Sequence, residues 1–199
     1  MALLLALPWL VVPGSTLALE WLSLREGGTN TVLQWHIATC LCEMQHESLK
    51  KPACAAAYDI SVTLSRYCRY LVAFLPELLP DHDMDTGAIF CEVLQEANVL
   101  LAGVASTPER FHVLKSGRVQ KKMGTILTSG VTLGELLIEK ISEPTQRWMV
   151  LKNIWELVVI SVAPSGDAKH HVERLARGGE FITHLWALLS HAGVLDQQA

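Results

Sequence analysis

The chain has 199 residues, of which 50% are apolar (AVILMFWYC) and only 18% are charged, with a formal net charge of -4. Counting Gly in place of Tyr raises the apolar share to about 55%, against a usual ~45–50%, which excludes a disordered chain, a collagen and a charged-tail protein. The length suits one domain with at most a short appendage, and it can bury a core without disulfide staples. The acidic balance supplies no positive field, so no nucleic-acid partner is expected.

Met1 to Leu19 carries no charged side chain, and Glu20 is the first. Three readings of this segment stay open. A signal peptide would use Leu3–Val12 as its apolar run, with cleavage after Ala18 and secretion as the consequence. An anchor needs ~20 apolar residues, and Pro8, Pro13 and Gly14 weaken a straight helix. The third reading is a segment packed on the core, or the stub of a longer protein.

Helical periodicity dominates the rest, from Glu20 to Ala199, with no strand alternation. The first helix is expected from about Asn30 to His46, with Thr29 or Asn30 as its cap and Val32, Leu33, Trp35, Ile37, Cys40, Leu41 and Met44 on its apolar face. The second runs from about Ala53 to Leu75 on a stripe of Ile60, Leu64, Tyr67, Cys68, Leu71 and Leu75, and Pro76 and Pro80 stop it. A polar turn, Leu79 to Met84, leads to a third helix through Leu101. Its inward stripe is Ile89, Phe90, Val93, Leu94, Ala97, Leu100 and Leu101. Ser106-Thr107-Pro108-Glu109 opens a short helix. Gly117 to Gly124 reads as the main loop. Ile126 to Ile141 is a long helix weakened by Gly130 and Gly134, and Pro144 breaks it. Gln146 to Val162 is the next, carrying Trp148, Leu151, Ile154, Trp155, Val158 and Val162 inward. Pro164 to Asp167 is a turn, and the last stretch is helical on both sides of Gly178-Gly179. The expected fold is all-α, an irregular bundle of five or six amphipathic helices. Five cysteines without regular spacing, all in apolar helical stretches, read as free thiols in a reducing compartment, although one or two bridges stay open.

Two stretches carry a resemblance. One is Val32-Leu33-Gln34-Trp35-His36-Ile37-Ala38-Thr39-Cys40-Leu41-Cys42. The other runs from His171 to Gly193 and contains Arg177-Gly178-Gly179-Glu180, Trp186 and His191-Ala192-Gly193. Between them lie Tyr70 to Pro80, Trp148 and Trp155-Glu156. Together, over roughly Glu20 to Val194, they resemble the C-terminal half of a plant family abundant in grasses, which pairs a multi-span membrane region (domain of unknown function 4220) with a C-terminal domain of unknown function 594. Cys40 stands where that family usually has an acidic residue, and Trp155-Glu156 replaces its Trp-x-Glu. The resemblance implies a helical domain tied to a membrane, and it implies no activity.

Several clusters carry chemistry on spacing alone. Glu180, His184 and His191 fall along one helical face, but His191 lies two turns beyond His184, about 10 Å at 1.5 Å per residue, so one ion cannot take all three. No metal or cofactor is expected, since His-Glu-x-x-His and Cys-x-x-Cys are absent. Gly178 can close the preceding helix in a left-handed conformation, and the exposed N–H groups of the next, with Arg174, Arg177 and Gly179, form a candidate anion seat. His36 faces away from Trp35 and is placed to hydrogen-bond across the bundle. Arg110, Lys115, Arg118, Lys121 and Lys122 concentrate positive charge and suit an acidic partner or anionic lipid. No hydrolase, kinase or dinucleotide signature is present, and no catalytic residue is assigned.

The leading expectation is a non-enzymatic interaction module that is membrane-associated or cytoplasmic, with a protein partner or a membrane surface. The alternatives are a small helical enzyme or anion-binding regulator using His36, Arg177, Glu180, His184 and His191, and a truncated product without an independent role.

Overall fold

The computed structural model describes residues 28–46, 55–81, 83–116, 124–164 and 167–193. The hydrophobic segment Met1–Leu19 and the basic residues Arg118, Lys121 and Lys122 lie outside them. The described residues form eight α-helices and no strand, so the all-α class holds, with more helices than the five or six expected. In chain order they are α1 (Thr29–His46), α2 (Ala55–Phe74), α3 (Asp83–Leu100), α4 (Thr107–Lys115), α5 (Ile126–Lys140), α6 (Pro144–Val162), α7 (Ala168–Leu175) and α8 (Phe181–His191), with one 3-10 turn at Pro76–Leu78. The short helices α4 and α7 account for the larger number.

Local chemistry explains the boundaries. The Glu109 N–H donates to Ser106 Oγ at the start of α4, as the Ser-Thr-Pro-Glu pattern predicts. Thr125 and Thr128 exchange side-chain-to-backbone bonds of 3.2 and 3.0 Å at the start of α5. Pro144 opens α6 as its first residue, and the Glu143 carboxylate accepts the Gln146 N–H.

α1 is the centre of the bundle, packed against α2 and α5, while α2 packs on α6. Leu33, Trp35, Ala38 and Cys42 enter the main core with Leu71, Trp148, Leu151, Trp155 and Ile182. Leu41 turns to a second cluster with Leu114, Leu127 and Val131.

The contact between α1 and α5 is the tightest. A Cβ at Gly130 would lie 2.7 Å from Ile37 Cβ and 2.9 Å from the Gln34 carbonyl oxygen. One turn on, a Cβ at Gly134 would lie 2.9 Å from Leu41 Cδ2 and 3.2 Å from Ala38 Cα. The two glycines read as helix weaknesses are therefore the surface on which α1 rests. Two further expectations change. Leu94, placed in the core stripe of α3, and Ile60, placed in that of α2, are exposed. Among the described side chains of α3, Thr86 alone is fully buried.

Helix propensity alone predicts that Gly130→Ala stabilises α5 by about 1 kcal/mol. The packing reverses the sign. Gly130→Ala is expected to lower stability by ~1–3 kcal/mol in urea unfolding, the usual cost of overpacking. Gly87→Ala, in α3 with nothing within 4 Å of the added Cβ, is expected to stabilise by about 0.4–1 kcal/mol.

Candidate functional site

The polar residues of the first familiar stretch each reach a different neighbour. His36 Nδ1 lies 2.8 Å from Ser65 Oγ of α2, and His36 Nε2 lies 3.7 Å from Cys40 Sγ. The Thr39 hydroxyl donates to the Trp35 carbonyl at 2.7 Å and accepts the Trp155 indole N–H of α6 at 2.9 Å. Thr39 and Trp155 are fully buried, so this short chain satisfies groups that would otherwise be stranded in the core.

The row Ser65–His36–Cys40 has the order of an orienting group, a base and a nucleophile. Its electrostatics oppose that role. Burial, assisted by Arg69 and Arg66, lowers His36 to about 4. Burial and then Glu43 push the Cys40 thiol up to about 11. Both groups are thus held neutral, and the thiolate–imidazolium form that activates a cysteine is disfavoured. Cys42 and Cys68 are raised to about 12, chiefly by burial. Cys40, Cys42, Cys68 and Cys91 are free thiols, and Cys54 lies outside the described residues.

The second stretch builds a corner between α7 and α8. Gly178 and Gly179 both have positive φ, 104° and 74°, and the Gly179 N–H donates to the Arg174 carbonyl to close α7. The His184 ring lies on Gly179, where an added Cβ would collide with its Cε1. Glu180 is the N-cap of α8 rather than a member of its face. The Glu180 N–H donates to Thr183 Oγ1 at 2.9 Å, and the Thr183 hydroxyl donates to the Glu180 carbonyl at 2.8 Å.

This corner is where the candidate anion seat falls. The N–H groups of Gly178, Gly179, Glu180, Thr183 and His184 are bonded within the corner, and the Ile182 N–H donates to the Tyr67 hydroxyl of α2 at 2.9 Å. The Arg174 guanidinium donates to Glu77 Oε1 at 2.9 Å, and Arg177 is exposed. The remaining carboxylate at the α8 N-terminus belongs to Glu180. His184 and His191 are exposed, and each donates from Nδ1 to the carbonyl four residues earlier, at 2.8 and 2.7 Å. Among the described residues no group of three metal-binding side chains converges. In the basic region, Arg110 donates to the Val104 carbonyl, and the Lys115 ammonium sits 5.2 Å from the Phe111 ring centre.

Two features were not read from the sequence. His171 is fully buried and stacks on Trp186, with ring centres 4.9 Å apart and planes 3° from parallel. Tyr67, Tyr70 and Phe74 form a row along α2, with neighbouring ring centres 6.2 and 5.5 Å apart, and Phe181 closes on Tyr67 at 5.7 Å. Partial burial and the Glu180 charge push the Tyr67 phenol up to about 12, against the opposing bond from the Ile182 N–H. Desolvation and Glu180 raise Tyr70 as well, and its hydroxyl donates to Glu180 Oε1 at 3.4 Å. The spacing of 67, 70 and 74 was a legible signal for one helical face; the ring from α8 was not.

The family described as "Protein of unknown function, DUF594" matches residues 140–194. The match runs from the last residue of α5 through α6, α7 and α8, so it contains the glycine corner. No curated protein matches the chain, and no solved structure does.

Two predictions follow from the geometry. The folded His36 imidazole titrates near 4 and an unfolded one near 6.5, so between these values the unfolded chain binds the extra proton. Its contribution to stability is intact above about pH 6.5, falls as pH drops, and is gone below about pH 4, a loss on the order of 3 kcal/mol. Urea unfolding across that window shows the slope, and His36→Gln flattens it. Gly179→Ala is expected to cost ~1–3 kcal/mol, from the positive φ and from the His184 ring. Adding His184→Ala recovers the part due to the ring and leaves the part due to φ, which a double-mutant cycle separates.

Proposed function

We propose that the chain is a non-enzymatic interaction module that works at a membrane or on a membrane protein. The outer face of α3 carries the reading. Met84 is 88% exposed, Val99 72% and Leu94 44%. Cys91, Leu94, Gln95, Asn98, Val99 and Ala102 line an open depression of about 510 Å³ on that face. An exposed apolar surface on a helix already seated on the bundle supports a reading in which another body covers it.

The membrane side of the proposal draws on the sequence. Met1 to Leu19 is uncharged. The two familiar stretches resemble plant proteins in which this half follows a multi-span region of unknown function, and the DUF594 match at 140–194 supports the later of the two. Among the described residues no helix is long and apolar enough to cross a membrane. The proposed attachment therefore runs through the α3 face or through Met1–Leu19. The enzyme alternative lacks a comparable observation, since His36, His184 and His191 each hold a bond inside the helices and Glu180 caps one.

The test is fractionation of the C-terminally tagged chain from plant cells. The expected result is that most of it sediments with membranes at neutral pH. The double variant Leu94→Glu, Val99→Glu, with unchanged far-UV circular dichroism, moves to the supernatant if α3 makes the attachment. Alkaline extraction of the pellet separates a chain anchored through Met1–Leu19 from one held by a partner. A wild-type chain found mainly in the supernatant overturns the reading.

A further inference from the structure

We propose that the seam between α2 and α8 receives an Arg or Lys side chain from a partner polypeptide, seated between the Glu180 carboxylate and the rings of Tyr67, Tyr70 and Phe181. This surface is separate from the α3 face, and the proposal stands whether or not the chain is held at a membrane.

The argument begins with charge. The seam holds two carboxylates, Glu77 and Glu180, and one guanidinium, Arg174. Arg174 is committed to Glu77 at 2.9 Å. Among the described residues no cation pairs with Glu180; its carboxylate faces the Thr183 N–H in the capping box of α8 and takes a long 3.4 Å bond from the Tyr70 hydroxyl. Arg177, three residues earlier and exposed, does not close on it. A half-buried carboxylate with two neutral donors and about four acceptor sites keeps lone pairs free for a charged donor.

The surroundings of that carboxylate are aromatic. Tyr67 and Tyr70 lie 6.2 Å apart at 29°, and Phe181 stands at 70° to Tyr67. The Tyr67 hydroxyl is turned inward to the Ile182 N–H and the Tyr70 hydroxyl toward Glu180. Phe181 and Phe74 are 54% and 67% exposed, so ring surface stays open to an incoming group. Ring faces carry negative electrostatic potential and attract a cation, and a neighbouring carboxylate adds to it. At the ring faces beside Glu180 a cation is favoured over an acidic side chain, which selects by charge sign as well as by apolar contact. Arginine is the better fit, because its planar guanidinium can stack on a ring while donating to a carboxylate.

The experiment uses the full chain and two short labelled peptides, one alternating Arg with Gly and one alternating Glu with Gly, measured by fluorescence anisotropy at low salt. The Arg peptide is expected to bind and the Glu peptide not to. Glu180→Gln is expected to weaken the Arg peptide about two- to fivefold, the scale of losing one charged contact at a partly exposed site. This variant keeps a side-chain oxygen for the Thr183 N–H of the capping box, and the Glu180 N–H bond to Thr183 Oγ1 does not use the carboxylate. Phe181→Leu keeps apolar bulk and removes the ring, and about a threefold loss is expected. Thermal melts of both variants confirm the fold, and Phe181→Leu carries the test alone if Glu180→Gln unfolds. Equal binding of the two peptides, absence of Arg-peptide binding, or affinity unchanged in the folded variants overturns the proposal. Preferential binding of the Glu peptide does so too, and would assign the corner to Arg174 and Arg177 as an anion site.

Discussion

The bundle depends on how closely α1 approaches α5. Gly130 and Gly134 lie one turn apart and present no side chain, so Ile37, Ala38 and Leu41 of α1 descend almost to the backbone of α5. Each glycine costs roughly 1 kcal/mol of helix propensity relative to Ala, and close packing offsets it. The contact also fixes the rotation of α1 about its own axis. With Ile37 and Ala38 committed to α5, His36 must face α2 and Thr39 must face α6. The bonds His36–Ser65 and Trp155–Thr39 are thus consequences of one steric fit.

This accounts for the character of the Trp-His-Ile-Ala-Thr stretch. Its residues look like a chemical site because a Trp, a His and a Thr lie close together. In the fold His36 reaches α2, Thr39 reaches α6, Ile37 and Ala38 lie on α5, and Trp35 is buried in the main core. The histidine is neutral because burial makes its charge costly, and the threonine links an indole to a carbonyl. Such networks specify one arrangement of a core more than they add to its stability. The surfaces proposed for a partner lie elsewhere, on α3 and along the α2–α8 seam.

The sequence was most legible where structure is local. Helical periodicity identified the all-α class and the long helices α1, α2, α3, α5 and α6, and Ser106, Pro108 and Gly178 marked ends of the short ones through chemistry confined to one turn. It was least legible where meaning depends on a distant partner. Propensity registers the cost of Gly130 and Gly134, but the compensating contact is on α1, almost a hundred residues away. Periodicity placed Leu94 and Ile60 on apolar stripes, yet both are exposed. Glu180 was read as part of the His184 face. Two consecutive positive-φ glycines delay the start of α8, and this turns the residue into a cap. The polar group that satisfies Ile182 is Tyr67, which no pattern within α8 can reveal.

These distant partners also bear on the matched segment 140–194. Its most telling bonds leave it. Trp155 donates to Thr39, Ile182 donates to Tyr67, Glu180 receives the Tyr70 hydroxyl and Arg174 pairs with Glu77. Arg147, buried at the start of α6, donates to Gln45 at the end of α1. Without α1, α2 and the 3-10 turn, these groups would lose their partners, and the apolar faces of α6 and α8 would open to water. A buried donor without an acceptor costs about 1–3 kcal/mol, and several such losses rival the whole stability of a domain of this size. The physical unit that holds the glycine corner in shape is therefore larger than the segment that carries its sequence signature. The aromatic seam beside the corner draws three of its rings from outside that segment, so whatever the corner presents to a partner depends on residues from both parts of the chain.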